Sequence, residues 1–191
     1  MIRVSTILGF SLLILLSGIL ACNNRAAKLP NYGHVPEFEM TDSQGHHFDS
    51  KQIAGKVWVV DFIYTNCPGP CPRMTSEMHS VQKQLKGDPD VRMISISVDP
   101  AHDTPPVLNA FAHRFEGPND QWFFLTGTPA TVHLLAHEVF KVGDVISNMD
   151  HSTKFMLVDK HGDLRGYYSS LDGNEIPALL QDVEALSQER S

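Results

Sequence analysis

The chain has 191 residues, 42% hydrophobic and 19% charged, a composition that builds a core and excludes a chain disordered throughout. Fifteen Lys and Arg against 22 Asp and Glu leave a net charge of −7, so the basic footprint of a nucleic-acid binder is missing. Three cysteines are too few for a disulfide-stapled scaffold, and a chain of this length buries a core without one.

In chain order, the first segment lies outside the predicted fold. Arg3 precedes an uncharged stretch over residues 4–21, and Cys22 follows it. A short positive start, an apolar run and small residues near its end read as a secretory signal. Ile19-Leu20-Ala21-Cys22 resembles a bacterial lipoprotein signal, in which the cysteine is lipidated and becomes the mature N-terminus. Leu20 is larger than usual at its position. The run also just reaches the length of an uncleaved membrane anchor, and plain cleavage is a third alternative. All three put the remaining chain outside the cytoplasm. Residues 1–21 are therefore expected to be the signal. Residues 22–36, with Pro30 and Pro36 and no periodicity, are expected to be a spacer to a domain over residues 37–191.

Within that domain, residues 38–40 and 47–49 flank the turn Asp42-Ser43-Gln44-Gly45, which predicts a hairpin. Residues 56–64 form a nearly continuous apolar run, as in a strand buried on both faces. Met74, Met78, Val81 and Leu85 then recur on one helical face, with Gly87 as the stop. Residues 91–98 read as a second strand. Thr104-Pro105 opens a helix toward Phe115, residues 121–125 give a third strand, and Thr128-Pro129 opens a helix toward Val139. Residues 154–159 and 164–169 flank a turn at 160–163, and Ile176, Leu179, Leu180, Val183 and Leu186 mark a last helix. The order predicts an α/β sandwich, a central mixed sheet flanked by helices with an N-terminal β-hairpin. It resembles the thioredoxin-like arrangement.

Thr65-Asn66-Cys67-Pro68-Gly69-Pro70-Cys71-Pro72 sits at the junction of a buried strand and a helix. Two thiols three residues apart converge on one ion or form one disulfide. The helix N-terminus near Cys71 favours thiolate, and three prolines restrict the loop before any ligand arrives. A purely structural disulfide gains little from so short a loop. Among ten histidines, His133 and His137 are spaced i,i+4 but read as a solvated face. His34 lies in the expected spacer, and His46, His47, His79, His102, His113 and His161 have no distinguishing context. His151, in Asp150-His151-Ser152, precedes the closing hairpin and approaches the cysteine loop if the fold is thioredoxin-like. Met74 and Met78 are read as core. Asp99 and Asp150 are candidates for outer acceptors that orient His151, and Asp99 serves equally well as a turn cap.

Three segments resemble the Sco/SenC family: Asp61-Phe62-Ile63-Tyr64-Thr65-Asn66-Cys67-Pro68-Gly69-Pro70-Cys71-Pro72, then Val98-Asp99-Pro100-Ala101-His102-Asp103-Thr104-Pro105, then Asp150-His151-Ser152. They occur in the family's order and span about residues 37–187. The resemblance implies a thioredoxin-like domain at the outer face of a membrane that binds one copper ion through Cys67, Cys71 and His151. It also implies a role in delivering copper to, or reducing the cysteines of, the binuclear copper centre of cytochrome c oxidase. The expected partners are the copper-receiving oxidase subunit or another copper chaperone. Two departures stand out: many relatives carry a transmembrane helix where this chain has Cys22, and Tyr64 replaces a frequent Phe. The donor chemistry agrees, since two thiolates and an imidazole suit Cu(I) and also hold Cu(II), whereas zinc normally takes a fourth ligand. The competing function is a thiol–disulfide oxidoreductase using Cys67 and Cys71, whose three-residue spacing departs from the usual two. A thiol peroxidase is disfavoured, because no lone cysteine framed by Thr and Arg is present.

Overall fold

In the computed structural model, which describes residues 25–142 and 153–189, the most apolar run of the sequence becomes the middle of a sheet. The chain enters through β1 (Glu39–Asp42) and β2 (His47–Asp49), the expected hairpin, and then forms β3 (Val57–Ile63). All seven residues of β3 are buried, as a strand covered on both faces requires. There follow α1 (Cys71–Gln84), β4 (Val91–Ser97), α2 (Pro105–His113), β5 (Trp122–Thr126) and α3 (Pro129–His133). The chain closes with β6 (Lys154–Val158), β7 (Leu164–Ser169) and α4 (Glu175–Ser187). The strands lie in the order β2-β1-β5-β4-β3-β6-β7. β3, β4 and β5 are mutually parallel, and the remaining pairings are antiparallel. The expected mixed sheet, its helices and its N-terminal hairpin are all present.

Alternation along β3 divides the core. Val57, Val59 and Ile63 face α1, α2 and α4, where they meet Met78, Val81, Phe111, Leu179 and Val183. Trp58, Val60 and Phe62 face the hairpin and the segment that follows α3, where they meet Phe48, Leu135 and Phe140. Both layers are needed to hide a strand with no polar face. Parallel β3 and β4 also bring their C-terminal ends to one edge, at Ile63 and Ser97. That edge carries the cysteine loop.

Two expectations are corrected. The helix predicted from Pro129 to Val139 changes winding: Leu134–Val139 is π-helical, with the Phe140 amide bonded to the Leu135 carbonyl at 2.8 Å. The wider turn keeps Leu135, Ala136 and Phe140 in the core together. Residues 25–36, expected to be spacer, pack on the domain instead. Ala26 is fully buried, and Arg25 pairs with Asp182 on α4. The Tyr32 amide donates to the Leu164 carbonyl, the Leu164 amide to the Gly33 carbonyl and the Val35 amide to the Gly162 carbonyl, each at 2.8 Å, covering the β7 edge. Arg165 completes the fastening: its guanidinium donates to the carbonyls of Ala26, Leu29 and Pro30 and to the buried Asp159 carboxylate. Backbone bonds to one arginine leave no hydrophobic period to read. Of the expected signal, residues 1–21, and of Cys22, all lie outside the described residues. Among the described residues, no helix is long and apolar enough to cross a membrane.

Because Arg165 neutralises Asp159, which is 1% exposed, Arg165→Gln leaves a buried carboxylate without its counter-charge. The expected loss is about 3 kcal/mol, read as a lower urea midpoint, with faster protease cleavage within residues 25–36. An unchanged midpoint contradicts this account of the fastening.

Candidate metal centre

β3 delivers the chain to Tyr64 and the loop that ends at Cys71. Tyr64, Cys67 and Cys71 form a small buried cluster of their own, closed on one side by Val98 from the end of β4. Both cysteines are free thiols. Cys71 is the first residue of α1, and its amide points at the Cys67 sulfur, 3.5 Å away. Proline at position 70 precedes the helix and Pro72 fills its first turn, where a missing N–H costs nothing.

The two sulfurs are unequal. Burial alone would raise the Cys67 thiol, but hydrogen bonds from the Cys71 thiol, the amides of Cys71 and Gly69 and the Tyr64 hydroxyl outweigh it and hold Cys67 below the usual thiol range. Burial pushes the Cys71 thiol up, and donation to Cys67 pushes it further. The sequence placed a thiolate-favouring helix start near Cys71 without choosing between the two sulfurs. In the structure the lowered thiol is Cys67, because the amides at the helix start point back along the loop. Tyr64 is pushed up to about 12, first by burial and then by its bond to Cys67, so it remains a hydroxyl donor to that sulfur. Its hydroxyl supplies a contact that a Phe ring could not make.

The loop is clamped from the side by Asp103, which is fully buried. Its Oδ1 accepts from the Thr65 hydroxyl at 2.6 Å, and its Oδ2 accepts from the Thr65 amide at 3.1 Å and the Ser97 hydroxyl at 2.6 Å. One carboxylate therefore ties the segment after β3 to the end of β4. Sequence reasoning missed Asp103, although it lies in the quoted Val98-to-Pro105 segment, because Asp99 drew the attention there. Asp99 shapes the turn: its carbonyl accepts from the amides of His102 and Asp103, and its carboxylate holds the His102 ring. Met74 and Met78 are fully buried, as expected of core. His151 and Asp150 lie outside the described residues. Among the described residues, no three His, Cys, Asp or Glu side chains gather closely enough to hold a metal.

Comparison with known proteins follows the same outline. The sequence model of the SCO1/SenC family matches residues 26–188. A SCO1/SenC family lipoprotein from Bacillus anthracis str. Ames has a solved structure 33% identical, with TM-score 0.76, over 84% of this chain and 98% of that one. BsSco, a member of the Sco family of cytochrome c oxidase assembly proteins studied for a disulfide switch, is 32% identical, with TM-score 0.75, over 85% and 98%. Yeast Sco1 with copper bound is 25% identical, with TM-score 0.62, over 81% and 94%.

Beneath the cysteines, Asp61 is fully buried on β3, opposite Ser95 on β4. Burial pushes its carboxyl up to about 7, against a partial pull from the Ser95 hydroxyl. An unfolded aspartate titrates near 3.9. Between those values the folded state binds more protons, so this group's contribution to stability falls as pH rises and levels off above 7. In the reduced, metal-free protein, Asp61→Asn removes this dependence. Its stability relative to wild type is expected to rise by about 1.4 kcal/mol or more from pH 5 to pH 8, the equivalent of one pKa unit. Parallel pH profiles of urea unfolding for the two proteins would refute it.

Proposed function

This chain belongs to the SCO1/SenC family, and from that premise we propose that it is a membrane-anchored, extracytoplasmic copper carrier for assembly of the binuclear copper centre of cytochrome c oxidase. Cys67, Cys71 and His151 are the proposed ligands, for one ion per domain. The observation that carries this reading is the clamped pair of free thiols, with the amides at the helix start and the Tyr64 hydroxyl aimed at Cys67. Thiolates and imidazole suit copper in either oxidation state. Copper bound to yeast Sco1 and the assembly role of the Sco family to which BsSco belongs support it. Of the two sulfurs, Cys67 engages the ion before Cys71, since its thiol gives up its proton more readily. Cys71 releases its proton as the second bond forms, because the cation offsets the charge that burial disfavours. His151 then closes the set.

A second reading is favoured by the same asymmetry: a low thiol beside a raised one is also the arrangement of a dithiol reductase, and BsSco is described with a disulfide switch. His151 separates the two. His151→Ala is expected to weaken Cu(II) binding at least tenfold, about 1.4 kcal/mol, and to impair oxidase assembly at limiting copper. It should leave the Cys67–Cys71 potential within about 30 mV. Cys67→Ser should abolish the sulfur-to-copper charge-transfer absorption. Full oxidase activity of the histidine variant beside a dead cysteine variant makes the protein a thiol reductase instead.

The anchor is proposed to be a lipid on Cys22, with residues 1–21 removed. The family likeness to a Bacillus anthracis lipoprotein supports this reading. Cys22→Ser should change the processed mass and the detergent partitioning while the domain remains folded by circular dichroism. Unchanged mass and partitioning would replace the lipid by another anchor.

A further inference from the structure

His102 had no distinguishing context in the sequence, but the fold supplies one. Its Nδ1 lies 2.9 Å from both carboxylate oxygens of Asp99, while the ring is 71% exposed. In the neutral ring, a carboxylate at Nδ1 fixes the hydrogen there and leaves the lone pair on Nε2. Metal-binding histidines are oriented and made more basic in this way.

The position matters as much as the pair. The turn that carries His102 is tied to the cysteine loop at three points. The Val98 amide donates to the Ile63 carbonyl at 2.9 Å, the Val98 side chain closes the Tyr64–Cys67–Cys71 cluster, and Asp103 grips Thr65. His102 is thus an oriented imidazole on a turn fastened to the end of β3 and to the cysteine loop. It is not gathered with the two cysteines into a three-ligand group. Two similar pairs provide a contrast. His34 lies 3.0 Å from Asp163 and His46 lies 3.4 Å from Asp42. Asp163 adjoins Leu164, which is level with Val158 and hence with Trp58 near the start of β3. The His46 turn lies beyond Phe124 toward the start of β5, through the Ser43 amide on the Phe124 carbonyl. Both pairs therefore sit at the opposite end of the sheet from Cys67.

We propose that His102, oriented by Asp99, is a loading ligand that takes an incoming copper ion at Nε2 and passes it to Cys67. The proposal rests on the copper-carrier reading. The transfer is ligand exchange: a copper–sulfur bond to Cys67 forms, the copper–nitrogen bond to His102 breaks, and any thiol proton displaced goes to water. No electron moves, so the oxidation state of the ion is unchanged. Imidazole is suited to this step because it binds copper more weakly than thiolate and releases it to the softer donor.

The test uses the full-length protein in detergent, reduced, metal-free and mixed rapidly with Cu(II). Growth of the sulfur-to-copper absorption gives the loading rate, and competition with a chelator gives the final affinity. His102→Gln is expected to slow loading at least fivefold and to leave the affinity within twofold. Asp99→Asn should slow it less, because the ring remains but its orientation weakens. His34→Gln, which removes a similar pair at the far end, should load at the wild-type rate. Loading of His102→Gln at the wild-type rate overturns the proposal, and so does equal slowing by His34→Gln. A tenfold loss of final affinity in His102→Gln also overturns it, since the residue would then be a resident ligand. A wild-type protein without the absorption removes the copper reading itself, and this step with it.

Discussion

A single buried carboxylate holds the working edge of this domain in place. Parallel strands β3 and β4 end side by side, and nothing in the sheet's own hydrogen bonds dictates where the two departing chains go next. Asp103 decides it by accepting from Thr65 twice and from Ser97 once. Hydrogen bonds to a charged group contribute roughly 1.5–3 kcal/mol each, and a buried carboxylate without them is strongly unfavourable. The loop before Cys67 and the turn after Ser97 are therefore fixed together or not at all. Tyr64, Val98 and the two sulfurs inherit their mutual position from that constraint.

The difference between the sulfurs comes from chain direction. Cys71 begins α1 and Cys67 precedes it, so the unsatisfied amides at the helix start face Cys67. Cys71, deeper and facing the core, meets mainly apolar surroundings and the charge of Asp61 below. A carrier benefits from such a gradient, with one sulfur that ionises more readily to capture the ion and a reluctant one that binds only when the ion is present. The same gradient serves thiol exchange. The cysteines by themselves therefore do not choose between the two chemistries, and the third ligand does.

Packing of residues 25–36 changes how an anchored domain would sit. A free spacer from Cys22 would reach about 45 Å at ~3.3 Å per residue. With Arg25 held by Asp182, only the three residue steps from Cys22 remain, a reach of about 10 Å. On the lipoprotein reading the domain would lie against the membrane rather than swing above it.

What the sequence determined by itself was whatever repeats locally. The continuous apolar run located β3, turn residues located the two hairpins, and the Met74, Met78, Val81 spacing located α1. Cap residues before Pro105 and Pro129 located two more helix starts. The cysteine loop was legible because two thiols, three prolines and a glycine occupy eight consecutive residues. The tertiary structure decided the rest, because it depends on pairs distant in the chain. Arg165 reaches back to Ala26, Leu29 and Pro30, Asp103 reaches Thr65, and Tyr64 meets Cys67 only after β3 ends. Such bonds leave no period in either partner. A side chain's role is written in the sequence when its neighbours are its chain neighbours. Otherwise it is settled by what the folded backbone brings beside it.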